Sequence, residues 1–175
     1  MPLPIVGKAH QAAAAAAPFT WFIYGSSLDA QAFAAWAEEH GYRMPDLATA
    51  VPARLNGYRL CFDVQSRFWG GTVASLVEER GAFVEGLALP LPGEARGLVD
   101  HKEGAISGLY EPFIVDLAPT AGGPLIRVLA YKARDERRLP GEQPPSPSFL
   151  DVLIRGARTA GLSTEYVATL EARRA

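Results

Sequence analysis

The chain has 175 residues, of which 49% are hydrophobic, and a formal net charge of −2 at pH 7. This length and composition fit one globular domain with a buried core and indicate neither a disordered chain nor a membrane protein. The mild acidity argues against nucleic acid as a partner, because no basic stripe is available to displace counterions from phosphates.

Cys61 is the only cysteine, so an intrachain disulfide and a metal site built from several cysteine ligands are both excluded. It lies in an apolar run and is interpreted as a small core residue. The alanines from Ala12 to Ala17 are too few and too weakly apolar for a secretory signal, and no segment has the length of a membrane span. We therefore expect a cytoplasmic protein, with residues 1–18 as a flexible lead-in and residues 19–175 as a single domain.

The first predicted element is a buried strand from Phe19 to Tyr24, rich in aromatic and β-branched residues. It stops abruptly at Gly25-Ser26-Ser27, and a helical pattern begins at once. Either serine is a candidate N-cap for that helix, Asp29 falls in its first turn, and Gly41 is placed to end it. Successive N–H groups in such a loop, just ahead of a helix, form a cradle for an anion or a carbonyl oxygen.

The middle of the chain is rich in strand-forming residues and punctuated by glycine and proline. Four strands are predicted, at Thr49–Leu55, Arg59–Val64, Thr72–Val77 and Phe83–Leu89. Asn56-Gly57 predicts a hairpin turn between the first two, Gly70-Gly71 opens the third, and Gly81 lies in the turn before the fourth. Strands at this spacing, without long helices between them, favour an antiparallel barrel or sandwich over a doubly wound sheet.

A segment from Gly93 to Lys102 predicts a short helix or an irregular connection, and two further strands are predicted at Leu109–Val115 and Leu125–Ala130. The tail is helical. Ser146 is the predicted N-cap of a helix that has Pro147 at its first position and ends at Gly161, and Ser163 caps a last helix.

Several separated motifs together resemble the γ-glutamylcyclotransferases. That family has an aromatic strand ending in Tyr-Gly-Ser-Asn-Leu, which Tyr24–Leu28 matches except for Ser27 in place of the asparagine. It also has a Glu-Gly…Ser-Gly-x-Tyr stretch, which Glu103–Tyr110 matches. Ala53-Arg54-Leu55, Gly70-Gly71 and the proline-rich tail from Pro144 are similar to the family as well, so the resemblance extends from about Trp21 to the end.

The resemblance implies an α+β fold, a small mostly antiparallel β-barrel of about six strands with flanking helices. It also implies an enzyme, an amide-cleaving cyclising acyltransferase or lyase, which closes a γ-glutamyl amide to 5-oxoproline and releases the amine. By resemblance Glu103 is the catalytic acid/base. The substrate-binding residues it implies are Trp21, Phe22, Ile23, Tyr24, Gly25, Ser26, Ser27 and Tyr110. A small-molecule γ-glutamyl substrate is the expected partner, no nucleic acid, membrane or cofactor is predicted, and no oligomeric state is assigned.

Simpler interpretations of the same residues stay open at this stage. Glu103 also fits a turn carboxylate in a salt bridge, Tyr24 and Tyr110 fit strand core, and the two serines fit ordinary helix caps. His101 and Glu103 are two potential metal ligands on one strand face, but two ligands without a third do not predict a metal site. Two other functions remain, a non-catalytic module that binds γ-glutamyl groups or small acids, and γ-glutamyl transfer to an external amine.

Overall fold

The structure, a computed structural model, describes residues 16–174. Most of the predicted lead-in, residues 1–15, lies outside the described residues, and residues 16–18 have no regular secondary structure. The strands are β1 (Phe19–Ile23), β2 (Val51–Ser66), β3 (Gly71–Leu91), β4 (Tyr110–Pro119) and β5 (Ile126–Ala133). The α-helices are α1 (Ala30–Glu39), α2 (Arg96–Lys102), α3 (Pro147–Thr159) and α4 (Thr164–Glu171). None of the helices within the described residues is both long and apolar enough to cross a membrane.

The five strands close into a barrel in the order β1-β3-β2-β4-β5. All neighbouring pairs are antiparallel except β1 and β5, which run parallel and close the barrel at Trp21 and Leu129. The predicted α+β barrel with flanking helices is confirmed, with five strands instead of about six. The barrel core contains the largest fully buried side chains, among them Trp21, Phe22, Phe62 and Tyr131, and Cys61 is buried as predicted.

The middle of the chain forms two long strands, β2 and β3, where four shorter strands were predicted. The predicted hairpin turn at Asn56-Gly57 is wrong. Gly57 and Gly81 both have positive φ but lie inside β2 and β3, where the pairing register shifts and the long hairpin is irregular. The true turn is at residues 67–70, where Gly70 has a φ of 66° and β3 then begins at Gly71 as expected. The left-handed conformation of Gly57 and Gly81 thus allows a shift in the pairing register of the two strands instead of a turn that reverses the chain.

The helix ends follow local sequence signals more closely. Ser146 accepts a hydrogen bond from the Phe149 N–H at the start of α3, and Ser163 accepts one from Tyr166 at the start of α4. Gly41 and Gly161 adopt the positive φ expected of residues that follow a helix. At α1, however, the N-cap is Asp29, whose side chain accepts from the Ala32 N–H, and neither Ser26 nor Ser27 caps that helix. The two serines belong to a separate 3₁₀ turn, Ser26–Leu28.

Candidate active site

The loop after β1 lines a cleft and has main-chain N–H groups without an acceptor among the described residues. The N–H groups of Leu28 and Asp29 donate to the carbonyls of Gly25 and Ser26 within the 3₁₀ turn. In contrast, the N–H groups of Gly25, Ser26 and Ser27 donate to no acceptor within the described residues. A Cβ added to Gly25 would meet no protein atom within 4 Å, so the protein around this position leaves open space beside the main chain. The loop therefore has the free donors that an anion or a developing oxyanion requires.

Helix α3 packs against the end of this loop at Leu28 and Asp29. Gly156 lies so close to the turn that an added Cβ would be 2.5 Å from the Asp29 nitrogen and 2.6 Å from the Leu28 carbonyl carbon. The guanidinium of Arg155 donates to both carboxylate oxygens of Asp29, at 3.2 Å and 2.5 Å. Asp29 thus joins the start of α1 to α3, and α3 fixes the end of the loop from which α1 begins.

Glu103 follows the last residue of α2 and ends that helix, since Gly104 after it has a φ of 72°. Its Oε1 accepts a hydrogen bond from the indole Nε1 of the fully buried Trp21 at 3.0 Å. Burial raises the pKa of the Glu103 carboxyl to about 7, and both the neighbouring Lys102 ammonium and the Trp21 hydrogen bond act in the opposite direction. Glu103 is therefore a carboxyl group that is present in both protonation states near neutral pH.

Two tyrosines form rigid parts of the same region. The hydroxyl of Tyr24 donates to the carbonyl of Tyr131 at 2.5 Å, and the hydroxyl of Tyr110 donates to the carbonyl of Ala74 at 2.6 Å. Burial is the main reason why the pKa of each hydroxyl lies well above its ordinary value, and the Glu103 charge adds to the effect. Both hydroxyls thus stay protonated at physiological pH, and their hydrogen bonds to strand carbonyls fix the rings.

The loop and Glu103 line one cleft of about 570 Å³, a volume typical of small-molecule sites. Helix α1, the β2–β3 turn and α3 complete its walls. Six of the predicted site residues line it, namely Tyr24, Gly25, Ser26, Ser27, Glu103 and Tyr110. Trp21, Phe22 and Ile23 do not line the cleft and are buried in the core. Trp21 still reaches the site indirectly, through its hydrogen bond to Glu103.

The cleft also has lining residues that the sequence analysis did not single out. Besides small and aliphatic residues and Glu39, they include four large aromatic residues and one lysine, namely Trp36, Phe68, Trp69, Phe149 and Lys102. Lys102 directly precedes the predicted catalytic residue, and this adjacency was the one sequence signal that pointed to it. The aromatic residues come from α1, the β2–β3 turn and α3, whose meeting in space no local pattern indicates.

The two histidines near the cleft belong to an aromatic cluster. The His40 ring stacks on Trp36 with centroids 4.5 Å apart, and His101 meets His40 edge-on at 5.0 Å. His101 lies in α2, so the strand face that it was expected to share with Glu103 does not exist. Among residues 16–174, no group of three or more His, Cys, Asp or Glu side chains is arranged to hold a metal ion.

Comparison with known proteins gives one consistent family. Residues 84–170 match the family model described as the AIG2-like family. Over 152 residues the chain is 30% identical to a γ-glutamylcyclotransferase of Bos taurus, covering 85% of this chain and 74% of the bovine protein. It is 29% identical over 158 residues to the Homo sapiens γ-glutamylcyclotransferase, covering 88% and 78% of the two chains. A solved structure of a γ-glutamyl cyclotransferase, 26% identical, superposes with a TM-score of 0.69 over 89% of this chain and 87% of the other.

Proposed function

The chain belongs to the γ-glutamylcyclotransferase-like, or AIG2-like, family, and on this premise we propose that it cyclises a γ-glutamyl amide to 5-oxoproline and releases the free amine. The observation that carries the proposal is Glu103, a carboxyl group with a pKa of about 7 that lines the same cleft as the N–H groups of Gly25–Ser27. A carboxyl group with this pKa accepts and donates protons readily near neutral pH.

Glu103 acts first as a base and then as an acid in this proposal. Its carboxylate takes a proton from the α-ammonium of the substrate, and the free amine attacks the γ-carbonyl carbon of the same molecule. The new C–N bond closes the ring, and the carbonyl oxygen becomes an oxyanion. When the oxyanion collapses, the bond to the leaving amine breaks, and protonated Glu103 supplies the proton that this amine needs. The regenerated carboxylate then takes the surplus proton from the positively charged ring nitrogen, which leaves the single N–H of 5-oxoproline, and passes it to the released amine. No water and no external nucleophile enters the reaction.

The cleft contributes in two further ways. Because amine and carbonyl belong to one molecule, holding the substrate in its folded shape supplies up to roughly 7–11 kcal/mol of the barrier reduction. The unpaired N–H groups of Gly25–Ser27 are the proposed donors to the oxyanion or to the substrate carboxylate. A single donor to an oxyanion typically contributes about 2.7–4 kcal/mol to transition-state stabilisation. Tyr24 and Tyr110, fixed by their hydrogen bonds to the strands, are proposed as walls of the γ-glutamyl pocket.

The direct test is to replace Glu103 with glutamine and assay a panel of γ-glutamyl amides by following 5-oxoproline by mass. The amide oxygen of glutamine still accepts from Trp21, so Glu103→Gln is expected to fold normally. Without a group that takes and returns the proton, kcat should fall by about 10²–10⁴. Glu94→Gln serves as the matched control, since Glu94 is an exposed glutamate in the turn before α2 that does not line the cleft.

The outcomes separate the proposed reaction from its alternatives. Near-normal 5-oxoproline release by Glu103→Gln would remove this residue from the mechanism. Binding of γ-glutamyl amides by the wild-type protein without any turnover would indicate a binding module. A γ-glutamyl group appearing on an added amine would indicate transfer instead of cyclisation.

A further inference from the structure

Lys102 is a cation in the cleft that forms no salt bridge with any Asp or Glu of the described residues. Among the described residues that line the cleft, it is the only lysine or arginine. Its Nζ donates to the Ser26 hydroxyl at 3.2 Å and lies 5.4 Å from the centroid of the Trp36 ring. Within residues 16–174, no Asp or Glu oxygen comes within 4 Å of this nitrogen. Burial lowers the pKa of Lys102 and outweighs the opposing effect of the Glu103 charge, so the protein compensates only partly for removing this ammonium from water.

An anion in the cleft would supply the partner that Lys102 lacks. The hydroxyl that orients the ammonium belongs to Ser26, whose own N–H is one of the free donors of the loop. A carboxylate at this loop would thus meet main-chain N–H groups and the ammonium together. Charge-assisted hydrogen bonds of this kind are about twice as strong as neutral ones.

We propose that Lys102 is a substrate-binding residue that holds the α-carboxylate of the γ-glutamyl group and so selects substrates in which this carboxylate is free. This inference rests on the proposed function. The α-carbon of a γ-glutamyl group carries an ammonium and a carboxylate side by side, and Lys102 and Glu103 are adjacent residues of opposite charge that line one cleft. Glu103 would take the ammonium and Lys102 the carboxylate, so that the pair of side chains matches the pair of charges.

The experiment compares two substrates that differ only in this carboxylate. They are the propylamide of γ-glutamate and the propylamide of 4-aminobutyrate, which close to 5-oxoproline and to 2-pyrrolidinone by the same attack. The ratio of their kcat/KM values measures selection for the carboxylate, and changes in the proton transfer common to both cancel from it. In the wild-type protein we expect a ratio of at least about 10–100, the value of one charged hydrogen bond.

In Lys102→Gln the ratio should fall by about tenfold or more from its wild-type value, mainly through a higher KM for the γ-glutamyl substrate, and Lys102→Arg should restore part of it. Lys132→Gln is the matched control, because it removes the same charge from β5 at a position that does not line the cleft. An unchanged ratio in Lys102→Gln would overturn the proposal, and an unchanged ratio with both activities reduced would indicate a structural role through Ser26. The proposal would also be overturned if the wild-type protein showed no preference between the two propylamides and preferred the γ-glutamyl substrate only when the leaving amine carries a carboxylate of its own.

A binding measurement tests the role of Lys102 even if the proposed reaction does not occur. If the wild-type protein forms neither cyclic product, the proposed reaction fails, and Lys102 is then tested by calorimetric binding of γ-glutamyl propylamide. Binding that weakens about tenfold or more in Lys102→Gln would support the carboxylate contact without catalysis, and equal binding would refute it.

Discussion

At the scale of single residues, the environment of Glu103 determines when the proposed reaction can run. Removal from water raises its pKa to about 7, while Lys102 and Trp21 favour the charged form and limit the rise. The same buried group is thus able to exchange protons at neutral pH, and its protonation sets the pH profile.

The first step needs the carboxylate form, so kcat/KM should rise with pH and level off above about 7. Below that point we expect about a tenfold loss for each pH unit, because the fraction of ionised Glu103 falls by that factor. Initial rates of 5-oxoproline release between about pH 5.5 and 8.5 measure this. Trp21→Phe removes a hydrogen bond to the charged form and should move the inflection to higher pH. A profile that stays flat below pH 7 in the wild-type protein would contradict the assignment.

At the scale of elements, the contact between α3 and the loop after β1 sets the position of the free N–H groups. Gly156 permits this contact, since any larger residue would meet the backbone of Leu28 and Asp29. Gly97 is also a helical glycine, in α2, but a Cβ added there would meet nothing within 4 Å. Comparing alanine substitutions at the two positions therefore distinguishes the destabilisation caused by steric overlap from the stabilisation caused by the higher helix propensity of alanine.

Gly156→Ala should lower the free energy of unfolding by about 2 kcal/mol or more, because overpacking outweighs the roughly 1 kcal/mol that alanine contributes in a helix. It should also reduce activity, since α3 would push the loop away from Glu103. Gly97→Ala should leave stability unchanged or raise it by up to about 1 kcal/mol. Urea denaturation of both variants measures these changes, and a Gly156→Ala protein as stable as Gly97→Ala would show that α3 does not press on the loop.

The sequence predicts those features of the elements that depend on near neighbours. Ser146 and Ser163 cap their helices because a cap needs only a side chain and an N–H three residues later. The turn predicted at Asn56-Gly57 was wrong because a hairpin turn and a shift in strand register both use a glycine with positive φ. Which of the two forms depends on the pairing with β3, which is distant in sequence. Lys102 and the aromatic walls of the cleft were missed for the same reason. The Glu103–Trp21 bond joins residues 82 positions apart, and no pattern of spacing predicts it.

At the scale of the whole molecule, the native structure encloses most of the Glu103 carboxyl group, and its charged form therefore opposes folding. An unfolded chain would ionise Glu103 near the ordinary glutamate value of 4.5, whereas the native state holds its proton up to about 7. Between these values the native state binds more protons than the unfolded state. The contribution of protonated Glu103 to the free energy of unfolding is therefore fully present below about pH 4.5. It is lost as the pH rises through about 7.

The difference in stability between Glu103→Gln and the wild-type protein isolates this effect. At pH 8 the variant should be the more stable by about 2–3 kcal/mol, because glutamine has no charge to bury, and at pH 4 the two should be nearly equal. Chemical denaturation at both values measures this, with Glu94→Gln expected to match the wild type throughout. An advantage of the same size at both pH values would indicate a packing effect instead of a buried charge.

The parallel pairing of β1 with β5 has a consequence for biosynthesis. Trp21 leaves the ribosome long before its partner Leu129, 108 positions later in the chain. At about 5–20 residues per second, the first strand waits on the order of 5–20 seconds for the strand that completes its surroundings. During that time β1 can pair with β3 but not with β5, and the cleft is unfinished. We therefore expect ribosome-bound chains stalled before Ile126 to be inactive, because the barrel cannot close and the cleft lacks its α3 wall.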